Sequence, residues 1–192
     1  LGQEIGNWSE MKESVLGLQG QGPSDLMAVT YALGAEILCM ANPGLTEATA
    51  IDMQRATVSN GTAFEKLLKI TELQGGNPAT LEHLDRYPQP KFRQTVKAQQ
   101  NGYLTQIDTM ALGFAGIQLG AGRKQITDAI DYPAGMTIHQ RLGDKVKAGD
   151  ELLTIYSNDK SAVDQVATQI PVGFNISEVA MESPPLIVER LD

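Results

Sequence analysis

The sequence predicts an α+β chain of two dissimilar parts, and three observations carry that reading. Residues 7–75 set apolar side chains at helical intervals between capping residues and glycines. Tyr87-Pro88-Gln89-Pro90 then interrupts all regularity, because a proline disfavours helix at the residue before it. Beyond the prolines, short alternating runs are separated by Asn-Gly, Gly-Asp and Gly-x-Gly turns. The boundary is placed there, giving parts 1–88 and 89–192.

The first part reads as a succession of capped helices. Asn7 with Glu10 three residues later has the form of a capping box, and Trp8, Met11, Val15 and Leu18 follow on one face. Gly20 stops that helix, and Ser24 opens a second carrying Leu26, Val29, Leu33, Ile37 and Met40. Tyr31 to Ala41, interrupted only by Glu36, is expected to be buried. Thr46 opens a third helix with Ala50, Met53, Thr57 and Val58 inward. Thr62 with Glu65 repeats the box ahead of Phe64, Leu67, Leu68 and Leu73, and a short turn over Ala79 to Leu84 precedes the prolines. The methionines at 11, 27, 40 and 53 fall at core spacing.

In the second part, Phe92–Ala98 and Tyr103–Ile107 alternate about Asn101-Gly102 and predict a hairpin. Ala111–Leu119 reads as a buried helix ended by Gly120-Ala121-Gly122. Strands are expected over Met136–Ile138, Leu152–Tyr156 and Phe174–Val179, with a helix over Ser161–Ile170. Gly143-Asp144-x-Val146-x-x-Gly149-x-x-Leu152 has the spacing of the wrap in hammerhead and barrel-sandwich modules, lipoyl and biotinyl carriers among them. A carrier needs a lysine at the tip of an exposed turn, whereas Lys145 and Lys147 lie inside the wrap. A carrier or interaction module is therefore the alternative reading.

Composition excludes several classes. A net charge of −8 argues against a nucleic-acid partner, which calls for a basic face. No run of about 20 apolar residues is present, so no membrane partner is expected. The single Cys39 permits no internal disulfide and has no basic activator, so it reads as an inert thiol in a cytoplasmic protein. His83 and His139 lack ligand partners at metal spacing, and Asp108, Asp128 and Asp131 read as turn and cap residues. Gly120-Ala121-Gly122-Arg123 could cradle an anion, although glycines of this kind also simply end helices.

Taken in order, Gly6-Asn7-x-x-Glu10, Lys12-Glu13, Gly20-x-Gly22-Pro23-x-Asp25-Leu26, Gln74-Gly75-Gly76, Asn101-Gly102-Tyr103, Leu119-Gly120-Ala121-Gly122-Arg123, Ile130-Asp131, Gly143-Asp144-x-Val146 and Leu152–Ser157 form a pattern. The chain resembles the thymidine and pyrimidine-nucleoside phosphorylases along nearly its whole length. Two departures are Trp8-Ser9, where the family usually has Ala-Leu, and Glu4, where a small residue is common.

The resemblance implies a helical segment completing an α/β domain, followed by a C-terminal α/β-hammerhead, barrel-sandwich-like domain. It implies that these residues are the C-terminal part of a longer enzyme, which the opening Leu1-Gly2-Gln3-Glu4-Ile5 also suggests by running directly into a helix. The implied reaction is reversible phosphorolysis of a pyrimidine nucleoside, with phosphate as co-substrate and a homodimeric parent. A nucleoside-monophosphate phosphorylase of the same superfamily is the nearest alternative. Catalytic and substrate-binding residues would lie upstream of Leu1, so this chain alone is expected to be inactive. The one site the resemblance places here is half of a potassium cage: the carbonyl oxygens of Leu1 and Glu4 and the carboxylate of Glu13.

Overall fold

The computed structural model describes residues 1–190 as two compact units. The first comprises Leu1–Gly2, Met11–Tyr87 and the tail from Pro185; the second comprises Gln3–Glu10 and Pro88–Pro184.

The chain enters through strand β1 (Glu4–Gly6) and helix α1 (Asn7–Leu18). Glu10 Oε1 accepts from the Gly6 N–H at 2.9 Å, one residue before the expected cap, while the Asn7 side chain donates to the Ala121 carbonyl at 2.6 Å. Helices α2 (Ser24–Ala41), α3 (Glu47–Ser59) and α4 (Thr62–Leu73) follow, then a short α5 (Ala79–Glu82). Thr46 caps α3 through Thr49 N, as its position predicts. At α4 the acceptor is instead Asn60, whose Oδ1 takes both the Thr62 N–H and its hydroxyl, with left-handed Gly61 between them.

Helix α2 departs from its sequence reading. It leans on α3, where Gln54 Nε2 donates to the Tyr31 carbonyl at 3.0 Å. A Cβ on Gly34 would collide with the Gln54 amide, so this glycine permits the close approach. Ala35 is buried, whereas Leu33, Ile37 and Met40 are exposed. Apolarity predicted a buried helix, but the helices of this unit pair in series, α2 with α3 and α3 with α4, and so cover one side of each. Met11 and Met53 are likewise exposed rather than core.

The second unit holds β2 (Phe92–Lys97), β3 (Gly102–Ile107), α6 (Thr109–Leu119), β4 (Gly135–Ile138), β5 (Lys145–Val146), β6 (Glu151–Ser157), α7 (Lys160–Gln169) and β7 (Phe174–Ser177). They form two sheets, β1-β4-β6-β2 and β5-β3-β7, with antiparallel neighbours throughout. Both sheets are open, which overturns the barrel-sandwich expectation; the architecture is α+β. Closure needs edge strands long enough to pair around a ring. Here the edges include β1 with three residues and β5 with two. The Gly143–Leu152 wrap is present as local turns, since Arg141 N and Lys147 N donate to the Asp144 and Asp150 carboxylates.

The expected hairpin about Asn101-Gly102 does not form either. Strand β2 pairs with β6, and β3 pairs with β5 and β7 in the other sheet. Asn101 Oδ1 accepts from Ala148 N at 2.9 Å instead of closing a two-residue turn. After a register shift at Val96/Lys97, Ala98 N reaches the Asp150 carbonyl, and the chain crosses between sheets.

The core of this unit joins Leu112, Ala115 and Leu119 of α6, Val163 and Val166 of α7, and Met136, Leu153 and Ile155 of the larger sheet. Caps fix both helices. Asp108 accepts from Ala111 N, Asp159 accepts from Ser161 N and Ala162 N, and Gly120 ends α6 at φ +99°.

Candidate functional site

The residues singled out by sequence fall into two local arrangements, one in each unit. In the first unit, Gly2 adopts φ +69°, a left-handed conformation that glycine tolerates without strain. The Glu13 side chain lies directly against its Cα, so any Cβ there would collide with the carboxylate. Glu13 is buried, a position that carboxylates seldom take unless paired. Leu1 is exposed. Leu1 and Glu13 thus belong to one compact unit, and Glu4 belongs to the other.

In the second unit Glu4 anchors a polar cluster on the larger sheet. Its Oε2 accepts from the Tyr156 hydroxyl at 2.7 Å and from the Thr137 hydroxyl at 3.0 Å. Strand register explains the reach: Glu4 opposes Thr137, and Tyr156 opposes Gly135. A Cβ on Gly135 would clash with the Ile5 carbonyl oxygen and lie 3.2 Å from the Tyr156 ring, so glycine there admits the close approach of β1 as well as the aromatic. Arg93 stacks over the same ring at 5.3 Å. The buried Ser9 hydroxyl lies close enough to the phenol to favour its ionised form, yet meets no partner at hydrogen-bonding geometry. Burial raises the Tyr156 pKa to about 12; the Ser9 hydroxyl opposes this and the Glu4 charge adds to it.

The sequence reading did not connect Tyr156 and Thr137 with this site. It marked Ser9 and Glu4 as departures from the family pattern and gave Glu4 a role through its carbonyl, whereas its side-chain partners lie 133 and 152 positions away. The cluster holds β1 to the sheet.

The remaining candidates take structural places. Asp128 accepts from Lys124 N and Gln125 N, and Gly120 N and Ala121 N bond to carbonyls of α6. Two amides of the Gly120–Arg123 loop and the two that follow it are therefore committed to the protein itself. Asp131 accepts from the Ser157 hydroxyl and from both nitrogens of Asn158. His139 Nε2 meets the Thr154 hydroxyl at 2.8 Å. The Lys145 ammonium sits over the Tyr103 ring at 5.9 Å. Among the described residues, no group of three or more His, Cys, Asp or Glu side chains is placed to hold a metal ion.

Comparison with known proteins adds what the geometry alone does not. Residues 103–177 match the model of the pyrimidine nucleoside phosphorylase C-terminal domain. Pyrimidine-nucleoside phosphorylases of Staphylococcus aureus strains USA300, NCTC 8325 / PS 47 and COL are each 35% identical to the chain over 187 residues. Each alignment takes in 97% of this chain and 43% of the relative. The chain thus spans less than half the length of the curated relatives it matches.

Proposed function

The chain belongs to the pyrimidine-nucleoside phosphorylase family, whose C-terminal domain it carries, and from that premise we propose that it is the C-terminal part of such an enzyme. The parent reaction is reversible phosphorolysis: phosphate displaces a pyrimidine from its nucleoside, giving the free base and a pentose 1-phosphate. The single observation carrying this reading is 35% identity sustained over 187 residues, well beyond the matched domain itself. On this reading the parent is a cytoplasmic homodimer with no nucleic-acid or membrane partner.

This chain's own contribution is structural. Phosphorolysis depends on holding phosphate and sugar in fixed geometry while domains close over them. The cored α6–α7–sheet body and the fastened β1 supply rigid support for residues elsewhere.

A potassium ion belongs to the same reading. The donor types fit it: Glu13 offers a buried carboxylate beside a glycine backbone, and the Leu1 carbonyl lies in the same unit. The side chain of Glu4 is committed to Tyr156 and Thr137, which leaves its carbonyl as the donor this reading assigns to it. When bound, the ion supplies charge balance and order to backbone carbonyls. Glu13 would hold it through a carboxylate oxygen, and glycine at position 2 leaves room for that carboxylate.

The test is a chimaera in which this chain replaces the matched stretch of a Staphylococcus aureus relative. With phosphate present, the chimaera is expected to release uracil from uridine, and the 192-residue chain alone to release none. Release by the chain alone, or a folded but inactive chimaera, defeats the reading. Preference for a nucleoside 5′-monophosphate would move the enzyme to the neighbouring substrate class. Potassium-independent activity, unchanged by Glu13→Gln, would remove the cation.

A further inference from the structure

Strand β1 is three residues long, forms an edge of the larger sheet and ends on Gly6 at φ +145°. Gly2, two residues ahead of it, is at +69°, so the local chain itself restricts the strand little. Ile138 N donates to the Gln3 carbonyl at 2.7 Å, while Glu4 opposes Thr137 and Ile5 opposes Met136. Opposed residues of an antiparallel ladder alternate between bonded and non-bonded pairs, so the bond at Gln3 makes Glu4 the non-bonded position. Its carbonyl is therefore directed away from β4, off the edge of the sheet.

The Glu4 side chain supplies the hold that the ladder does not. Its Oε2 accepts from the Tyr156 and Thr137 hydroxyls, and its Oε1 lies 3.2 Å from the same Thr137 hydroxyl. The two donors stand on different strands. Thr137 is directly opposite on β4, whereas Tyr156 belongs to β6, which is paired on both sides and carries the fully buried Leu153 and Ile155. An edge residue is thus tied to the most deeply cored strand of the sheet. The acceptor is charged and Tyr156 is buried, so water competes poorly for these bonds.

We propose that Tyr156 and Thr137 are positioning residues for potassium: by locking the Glu4 side chain they set the place and direction of the Glu4 carbonyl that would ligate the ion. The inference rests on the potassium reading above and adds two residues that act on the ion only through Glu4. Carbonyl dipoles hold a monovalent cation weakly, so affinity depends on how much freedom each donor must give up on binding. Partners behind the ligands govern that freedom, and losing one characteristically weakens metal binding.

The experiment uses the chimaera described above. Its potassium Kd is read from the rise in Tm with added KCl at constant ionic strength, and uridine phosphorolysis is measured in parallel. Tyr156→Phe and Thr137→Val are each expected to weaken potassium binding about tenfold. Glu4→Ala is expected to weaken it similarly, and Tyr156→Phe added to Glu4→Ala to cost nothing more, because the lock is already gone. Glu4→Gln keeps an acceptor for both hydroxyls and should bind potassium as wild type does. Asp159→Ala removes a helix cap in the same unit; it should lower Tm at every KCl concentration and leave Kd unchanged. Unchanged Kd in either Tyr156→Phe or Thr137→Val overturns the proposal, as does additive loss in the double variant or an equal shift with Asp159→Ala. A loss with Glu4→Gln equal to that with Glu4→Ala assigns the effect to carboxylate charge and also overturns it. A wild-type chimaera whose Tm ignores potassium removes the cation, and the proposal with it. Lock-dependent potassium binding without phosphorolysis defeats the functional reading alone.

Discussion

The Tyr156 hydroxyl donates to Glu4 Oε2 at 2.7 Å, tying the first strand of the larger sheet to its third across the glycine of the strand between them. The bond carries charge on its acceptor, and its donor is largely buried, so it belongs to the stronger class of side-chain hydrogen bonds. Tyr156→Phe keeps the ring under Arg93 and removes only the donor. The variant is expected to lose about 1.5–3 kcal/mol of unfolding free energy in a urea titration. An unchanged midpoint would show that β1 is held by its ladder alone.

The same phenol gives the fold an alkaline limb. Its pKa is about 12 in the folded chain and near 10 when unfolded, so between those values the folded state binds the extra proton. Stability is therefore unaffected below pH 10 and falls as pH rises towards 12. The loss reaches about 3 kcal/mol at most. Thermal unfolding of wild type and Tyr156→Phe at pH 8, 10 and 11 checks this. The gap between the two proteins should narrow as pH rises.

Gly102 follows the strand crossover at φ +154°, and a Cβ there would sit 2.5 Å from the Ser177 carbonyl oxygen and 2.8 Å from Ile176. Gly102→Ala must displace β7 or twist β3. A loss of about 2–3 kcal/mol is expected, with hydrogen exchange accelerated in Phe174–Ser177 ahead of the larger sheet. Uniform acceleration across both sheets would contradict a local effect.

Asp159 accepts from two backbone amides at the start of α7. Asp159→Ala is expected to destabilise the protein by about 1 kcal/mol, and Asp159→Asn by much less, because the amide oxygen caps equally well. Equal losses for the two variants would point to charge rather than hydrogen bonding.

Local chemistry was the legible part of this fold. Thr46 caps its helix, and Gly120 ends α6, since both act on neighbours within a few residues. Pairing was not legible. Asn101-Gly102 has the composition of a tight turn, but Asn101 spends its side chain on Ala148, 47 residues on. Helix α2 shows a second limit: hydrophobic spacing reports which residues seek cover, not whether cover is present. Of the candidate site, Glu13 is legible only through the family resemblance, since a glutamate on a helix otherwise reads as solvated; its burial against Gly2 is not. The Glu4 cluster depends on Thr137 and Tyr156, and no periodicity links positions so far apart.

Strand β1 finds its partner 133 residues downstream, where Glu4 meets Thr137. On a translating ribosome that interval corresponds to roughly 7–27 s during which the early strand lacks its β4 partner. Folding of the larger sheet is therefore gated by synthesis of its later strands, and the nascent segment stays open to chaperones throughout. Slowing elongation between the two strands would lengthen that exposure without altering the finished molecule.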